Sequence, residues 1–307
     1  MTLDPFDNLL GRLGPTAGKA LMGAGWDRIR EAKEIRFFVK KPIQVVYHGN
    51  SVFLSKRGEQ CPAESTKDSL EPEDIQEIFM ALCEHSVHSY KEELCRGFVT
   101  VRGGHRAGIC GTAVYQNGAI ESVKDISSVD LRLAHEVVGC ADLLYRKITE
   151  IPLKSVLIIG PPCSGKTTVL RDLARQLGNG ETHVCIVDER MEIAGMFEGV
   201  PGFDIGTSCD VLNGYKKKDG IVSAVRAMAP NVVICDEFGG EEELRSALFA
   251  MKSGVSMIAT MHAESFEELA EKDIFDELSR KKIFYWVAIM DRNCRIKEIR
   301  TWEGESA

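Results

Sequence analysis

One stretch, Gly160-Pro161-Pro162-Cys163-Ser164-Gly165-Lys166-Thr167-Thr168, constrains this chain more than any other. It follows an apolar run, Val156-Leu157-Ile158-Ile159, and precedes a helical one at 169–177. Strand, G-x-x-x-x-G-K-T, helix is the context in which this motif works as a phosphate site. The turn leaves backbone N–H groups pointing inward, and the helix N-terminus adds partial positive charge. Lys166 then reaches the β- and γ-phosphates as a point charge, and the Thr167 hydroxyl is placed to ligate Mg²⁺. ATP and Mg²⁺ are the expected ligands. The competing reading is a Gly/Pro-rich turn between core elements, and the flanking strand and helix speak against it.

At 307 residues the chain is long enough for two domains, each with its own core. Its net charge of −8, with neither half basic, weighs against sequence-independent nucleic-acid binding. The ten cysteines include no C-x-x-C pair, so neither a disulfide framework nor a zinc site is expected. Several, such as Cys185 and Cys235, sit inside apolar runs, where cysteine behaves as a small hydrophobe. The N-terminal Met1-Thr2-Leu3-Asp4-Pro5 has no basic or apolar leader character, and no apolar run approaches the length of a membrane span. The expected location is the cytoplasm, with membrane docking through a partner.

The residues before the loop read as a smaller α+β domain. Residues 16–34 are expected to be helical; 35–39, 43–47 and 52–54 read as strands, with a turn at His48-Gly49-Asn50. Glu71-Pro72-Glu73-Asp74 opens a helix whose apolar positions Ile75, Ile78, Phe79, Leu82 and Cys83 hold one face. Strand character resumes at 98–101, 107–114 and 119–120. Ser127-Ser128-Val129-Asp130-Leu131-Arg132-Leu133 reads as the joint, giving a first domain over 1–130, a linker at 127–134 and a second domain over 135–307 that begins with a helix at 135–145. There, apolar runs at 155–159, 183–187, 231–235 and 255–261 alternate with helices, which implies a parallel sheet covered on both faces. The run 284–290, the turn Asp291-Arg292-Asn293 and the run 295–299 read as an antiparallel hairpin at its edge.

In such a sheet ligands sit at the carboxyl ends of the strands, so polar residues that immediately follow apolar runs are candidates. Asn231-Val232-Val233-Ile234-Cys235 ends in Asp236-Glu237, the Walker B arrangement. Asp236 is placed to hold Mg²⁺, and Glu237 to orient and deprotonate the attacking water. A second run ends in Asp188-Glu189-Arg190, with Glu189 a competing base and a structural Glu–Arg ion pair the alternative. A third ends in His262, either a reporter of the γ-phosphate or a core histidine. Phosphoryl transfer also needs cations for its transition state. Arg226, Arg132, Arg102 and Arg106 are candidates, and any that acted in trans would require the protein to assemble as a ring.

These motifs, with Asp188-Glu189-Arg190-Met191-Glu192-Ile193, Cys209-Asp210-Val211-Leu212, Met228-Ala229-Pro230-Asn231 and Ala259-Thr260-Met261-His262-Ala263, resemble the bacterial secretion ATPase superfamily of type II and type IV secretion and pilus assembly. Gly108-Ile109-Cys110-Gly111-Thr112 and Ile126-Ser127-Ser128-Val129 resemble its sporulation branch in endospore formers. The resemblance spans 98–300. It implies a RecA-like ATPase domain behind an N-terminal domain, a hexameric ring with nucleotide between subunits, an acidic box at Asp188-Glu189 and a histidine box at His262. It further implies docking to integral membrane proteins of a channel complex at the inner face of the mother-cell membrane. Cys163-Ser164 stands where the family more usually has Gly-Cys, a change tolerated if position 163 avoids positive φ. The tetracysteine zinc site of some relatives is missing, so no metal beyond Mg²⁺ is expected. A nucleotide-gated scaffold with little turnover and a RecA-like nucleic-acid motor are the alternative functions.

Overall fold

The computed structural model describes Leu9, residues 12–47 and residues 49–303. His48 of the expected turn and the N-terminal Met1-Thr2-Leu3-Asp4-Pro5 lie outside the described residues. Two compact units form. One runs to His135 and takes in Gly195–Gly202; the other holds Glu136–Ala194 and continues from Phe203.

The first unit contains α1 (Gly14–Gly23), α2 (Trp26–Arg30), β1 (Glu34–Phe38), β2 (Ile43–Val46), β3 (Ser51–Leu54), α3 (Pro72–Leu82), α4 (Lys91–Cys95), β4 (Phe98–Val101), β5 (His105–Gln116) and β6 (Ala119–Arg132). Its six strands run in the order β3-β2-β1-β6-β5-β4, every neighbouring pair antiparallel. Period-2 alternation buries Ile35 and Phe37 of β1 and Ile43 and Val45 of β2 on one face. That face shares a core with Ile75, Ile78, Phe79 and Leu82, the apolar stripe of α3. Pro72 in the first turn and a reciprocal Glu71–Asp74 capping box start this helix where the sequence signals it.

Two expectations fail here. The helix expected over 16–34 breaks at Gly25, whose φ of 94° no helical residue adopts, and ends at Arg30. The linker expected at 127–134 is largely the end of β6. Val129 pairs with Phe37 on one side and Ile109 on the other, and Val129 and Leu131 are fully buried. Ser127-Ser128 has the composition of a linker, but the ladder's alternation governs, and even Ser128 is buried.

The second unit contains α5 (Asp142–Thr149), β7 (Val156–Gly160), α6 (Lys166–Gly178), β8 (Val184–Asp188), β9 (Cys209–Asn213), α7 (Lys217–Ala227), β10 (Val232–Cys235), α8 (Glu241–Lys252), β11 (Ser256–His262), α9 (Phe266–Ala270), α10 (Phe275–Lys281), β12 (Trp286–Met290) and β13 (Ile296–Thr301). The sheet order is β13-β12-β7-β11-β10-β8-β9. All pairs are parallel except β12–β13, the expected C-terminal hairpin. Every residue of β7, β8, β10 and β12 is buried, as a parallel sheet flanked by helices requires. The helix expected at 135–145 begins only at Asp142. The chain before it is tied to α6 by Ala141 N–H donating to Asp172 Oδ2 at 2.8 Å. No helix fills residues 189–208, and β9 is a strand that apolar patterning does not announce, because only Leu212 of it is buried. One feature of the order positions everything that follows: β11 lies between β7 and β10.

Candidate nucleotide site

β7 delivers the chain to the loop, and Gly165 caps α6 with φ 81°, a left-handed conformation that glycine adopts freely. Gly160 is packed so closely that a Cβ would come 2.6 Å from Ser164 Oγ and 2.7 Å from Met290 Cβ. Cys163 has φ 61°. Position 163 therefore does need the left-handed region, and the condition on which a cysteine is tolerated there without strain is not met. An L-residue in that region costs about 1 kcal/mol. Cys163→Gly should accordingly raise stability by up to about 1 kcal/mol, after allowing for the looser unfolded chain. The midpoint of denaturant unfolding measures this, and a lowered midpoint would refute it.

Lys166 is buried and uses all three of its donors. It donates to Gly160 O and Pro161 O, both at 2.8 Å, and to His262 Nδ1 at 3.2 Å. Burial pulls its pKa below the ordinary lysine value, against the opposing pull of Asp236 and Glu237. An ammonium only donates, so Nδ1 of His262 accepts and the ring proton sits on Nε2. That nitrogen lies 3.5 Å from Glu237 Oε1. Thr167 Oγ1 donates to Asp236 Oδ2 at 2.5 Å, and Thr260 Oγ1 donates to Asp236 Oδ1. Glu237 N–H donates to Thr260 Oγ1 at 2.9 Å, with Glu237 itself at φ 47°.

The sheet order explains why these groups meet. β11 carries Thr260 and His262 between the loop strand and the Walker B strand, with His262 opposite Gly160 and Ala259 opposite Cys235. The nine loop residues, Asp236, Glu237 and His262 thus converge, as the strand-end argument expects.

The second acidic pair takes other partners. Asp188 is buried and accepts from the N–H groups of Glu192, Ile193 and Ala194 at 2.9, 3.0 and 2.8 Å. Burial raises its pKa, partly offset by those three donors. Glu189 Oε2 is held by Lys217, at 3.3 Å from its N–H and 3.2 Å from Nζ. Arg190, rather than pairing with Glu189, forks onto Glu237: Nη1 to Oε1 at 2.7 Å and Nη2 to Oε2 at 2.5 Å. Of the candidate cations, Arg226 is exposed near the end of α7 that leads into the amino end of β10, its guanidinium over the Phe249 ring. Within one chain that is the wrong end of the sheet for the loop. Arg132, on β6, Arg102, in the β4–β5 turn, and Arg106, over the Phe98 ring at 3.6 Å, belong to the first unit.

Residue patterns alone missed Thr260, Lys217 and Arg171, and gave Arg190 only as the ion-pair alternative for Glu189. Arg171 is buried on α6, donates to Ile193 O and Glu192 O at 2.7 Å each, and lies 3.5 Å over the Phe203 ring. Burial lowers its pKa to about 10. Thr260 left a signal, a hydroxyl inside the apolar 257–261 run; Lys217 left none that spacing could separate from surface charge.

The residues fit a nucleotide and its metal. Ser164 Oγ is buried inside the loop with no hydrogen-bond partner among the described residues, and Thr167 and Asp236 offer the hard oxygen donors Mg²⁺ takes. A cleft of about 690 Å³ opens beside Glu237 and His262, but Glu241, Glu271, Asp273 and Glu277 on its walls repel a triphosphate.

The fold has known counterparts. Legionella pneumophila DotB, an ATPase, superposes with a TM-score of 0.56 at 16% identity over 86% of this chain and 75% of that one. The pilus retraction motor PilT, solved with bound ADP, gives 0.58 at 16% identity over 88% and 77%. At that identity the likeness establishes a shared RecA-like α/β fold. In sequence, stage III sporulation protein AA of Bacillus subtilis (strain 168) is 35% identical over 259 residues, 83% of this chain and 80% of that protein. The family model for sporulation stage III, protein AA, matches residues 17–305. By that match over most of its length, the chain is a member of the sporulation stage III protein AA family.

Proposed function

We propose that this protein is a Mg²⁺-dependent ATP hydrolase that works as a ring of identical subunits, a hexamer, serving a membrane channel complex in sporulation. The observation that carries the reading is the meeting of Thr167 with Asp236 beside the chain Lys166–His262–Glu237. The loop N–H groups and the α6 terminus bind and orient the triphosphate. Lys166, already desolvated, exchanges loop carbonyls for phosphate oxygens and sets its charge against the group being transferred. Thr167 and Asp236 would hold Mg²⁺, which would supply positive charge to offset that of the phosphates. Glu237 orients water and takes its proton, and His262 links that carboxylate to the lysine that touches phosphate. Glu189 is less suited to the task because Lys217 already holds it.

DotB and PilT, both ATP- or ADP-linked machines by their descriptions, support the activity. The family's sporulation role supports the setting. No described helix is long and apolar enough to cross a membrane, so action at the inner face of the mother-cell membrane would come through integral membrane partners. Arg132, Arg102 and Arg106 are proposed as trans cations, which is why a ring is needed.

Lys166→Ala should abolish phosphate release from ATP, a loss of about a thousandfold for removal of a principal charge at the transferred group. Steady-state phosphate release across a range of protein concentration tests both parts. A wild-type protein without turnover would sink the hydrolase, and a rate per subunit that stays flat through the assembly range would sink the ring.

A further inference from the structure

Glu237 is the group proposed to accept a proton, yet both its oxygens are engaged by one guanidinium. Arg190 Nη1 lies 2.7 Å from Oε1 and Nη2 lies 2.5 Å from Oε2. A carboxylate gripped this way is a poorer acceptor and presents less of its lone-pair surface to water. Arg190 does not earn this position by packing, since its side chain remains 56% exposed. It is held there by the turn that carries it. Asp188 anchors one side of the turn within β8, its carboxylate receives Glu192, Ile193 and Ala194 on the other, and Met191 between them sits at φ 59°.

We infer that Arg190 is a positioning residue, a latch that withholds Glu237 from its proton-accepting role in most of the nucleotide-loaded population. The inference rests on the hydrolase reading above and deepens it. A part-exposed ion pair is weak enough to be exchanged, and a phosphoryl dianion in the loop offers the guanidinium a second planar set of acceptors. A triphosphate in the loop therefore competes for Arg190 but frees Glu237 in only part of the loaded population. Turnover of the loaded site is restrained by the fraction in which Arg190 still holds Glu237. Lysine at this position keeps the charge without the fork, so the latch depends on arginine specifically.

The test uses the full chain with ATP and Mg²⁺. Arg190→Ala and Arg190→Gln should raise kcat about fivefold, the population gained when a part-exposed pair is removed, with KM for ATP nearly unchanged. Arg190→Lys should fall between them and wild type. The same change made on top of Glu237→Gln should give no gain, which a merely structural role would not predict. Thermal melting checks that each variant is folded, and either Ala or Gln suffices. Turnover that falls in the Arg190 variants would overturn the latch and make Arg190 a transition-state cation; a gain that persists in the Glu237→Gln background would overturn it too. Wild type and all variants failing to release phosphate would instead defeat the hydrolase reading, and the latch with it.

Discussion

Replacing Glu237 with Gln should leave nucleotide bound while phosphate release falls at least a hundredfold, the usual contribution of a positioned general base. The amide keeps the shape but cannot take the proton. The proposed nucleotide contacts lie elsewhere, in the loop N–H groups, Lys166 and Thr167, so affinity for ADP should be nearly unchanged. Fluorescent-nucleotide titration and steady-state phosphate release read the two quantities separately. Glu189→Gln is the control. Its partner Lys217 holds it at 3.2 Å, and removing a part-exposed pair should cost well under about 1 kcal/mol and leave turnover near wild type. If Glu189→Gln stops turnover while Glu237→Gln does not, the base is misassigned, and the Arg190 contact becomes a plain ion pair.

The largest effect on stability is expected at Asp188, which touches no proposed substrate atom. Its carboxylate accepts three backbone N–H groups from residues 192–194, while Arg171 donates to two carbonyls of the same segment. One acceptor-only group and one donor-only group together satisfy a buried turn that no helix or strand satisfies. Asp188→Asn turns an NH₂ toward N–H donors and should destabilise the fold by roughly 2–3 kcal/mol, the scale for losing charge-assisted bonds and stranding buried donors. Chemical denaturation measures it, and an unchanged midpoint would show that the turn is satisfied otherwise.

The pH dependence sharpens this test. Burial raises the folded pKa of Asp188 above its unfolded value near 3.8. The folded state therefore binds the proton more tightly, and this group's contribution to stability is fully present below the unfolded value and lost as pH rises through the folded one. Asn does not titrate. The stability gap between wild type and Asp188→Asn should widen as pH falls from above the raised pKa toward the ordinary aspartate range. A gap that narrowed would contradict the assignment.

Much of the second unit was legible in the sequence because its signals are local. The apolar runs before Gly160, Asp188, Asp236 and His262 are long enough to read as buried strands, and a parallel sheet places whatever follows such strands at one edge. The G-x-x-x-x-G-K-T motif sets the strand-to-helix turn through glycine's conformational freedom and the helix's unsatisfied N–H groups. In the first unit, the stripe from Ile75 to Leu82 and the Glu71–Asp74 cap are equally local, and α3 follows them.

What misled was composition standing in for pairing. Ser127-Ser128 looks like a linker until β1 and β5 close on either side of it. The backbone angle of Cys163 is a property of the loop's closure around its neighbours, which no residue identity discloses.

From its residues alone this chain was bound to hold a glycine-rich turn between strand and helix, a mostly parallel sheet and carboxylates at the strand ends, because those depend on contacts between near neighbours along the chain. Which carboxylate stands beside which cation was decided only by tertiary structure. Insertion of β11 between β7 and β10 sets His262 and Thr260 within reach of Lys166 and Asp236, and folding of the 189–194 turn sends Asp188 inward and Arg190 onto Glu237. An ion pair needs a few ångströms of proximity, and strand order, not sequence spacing, sets that distance.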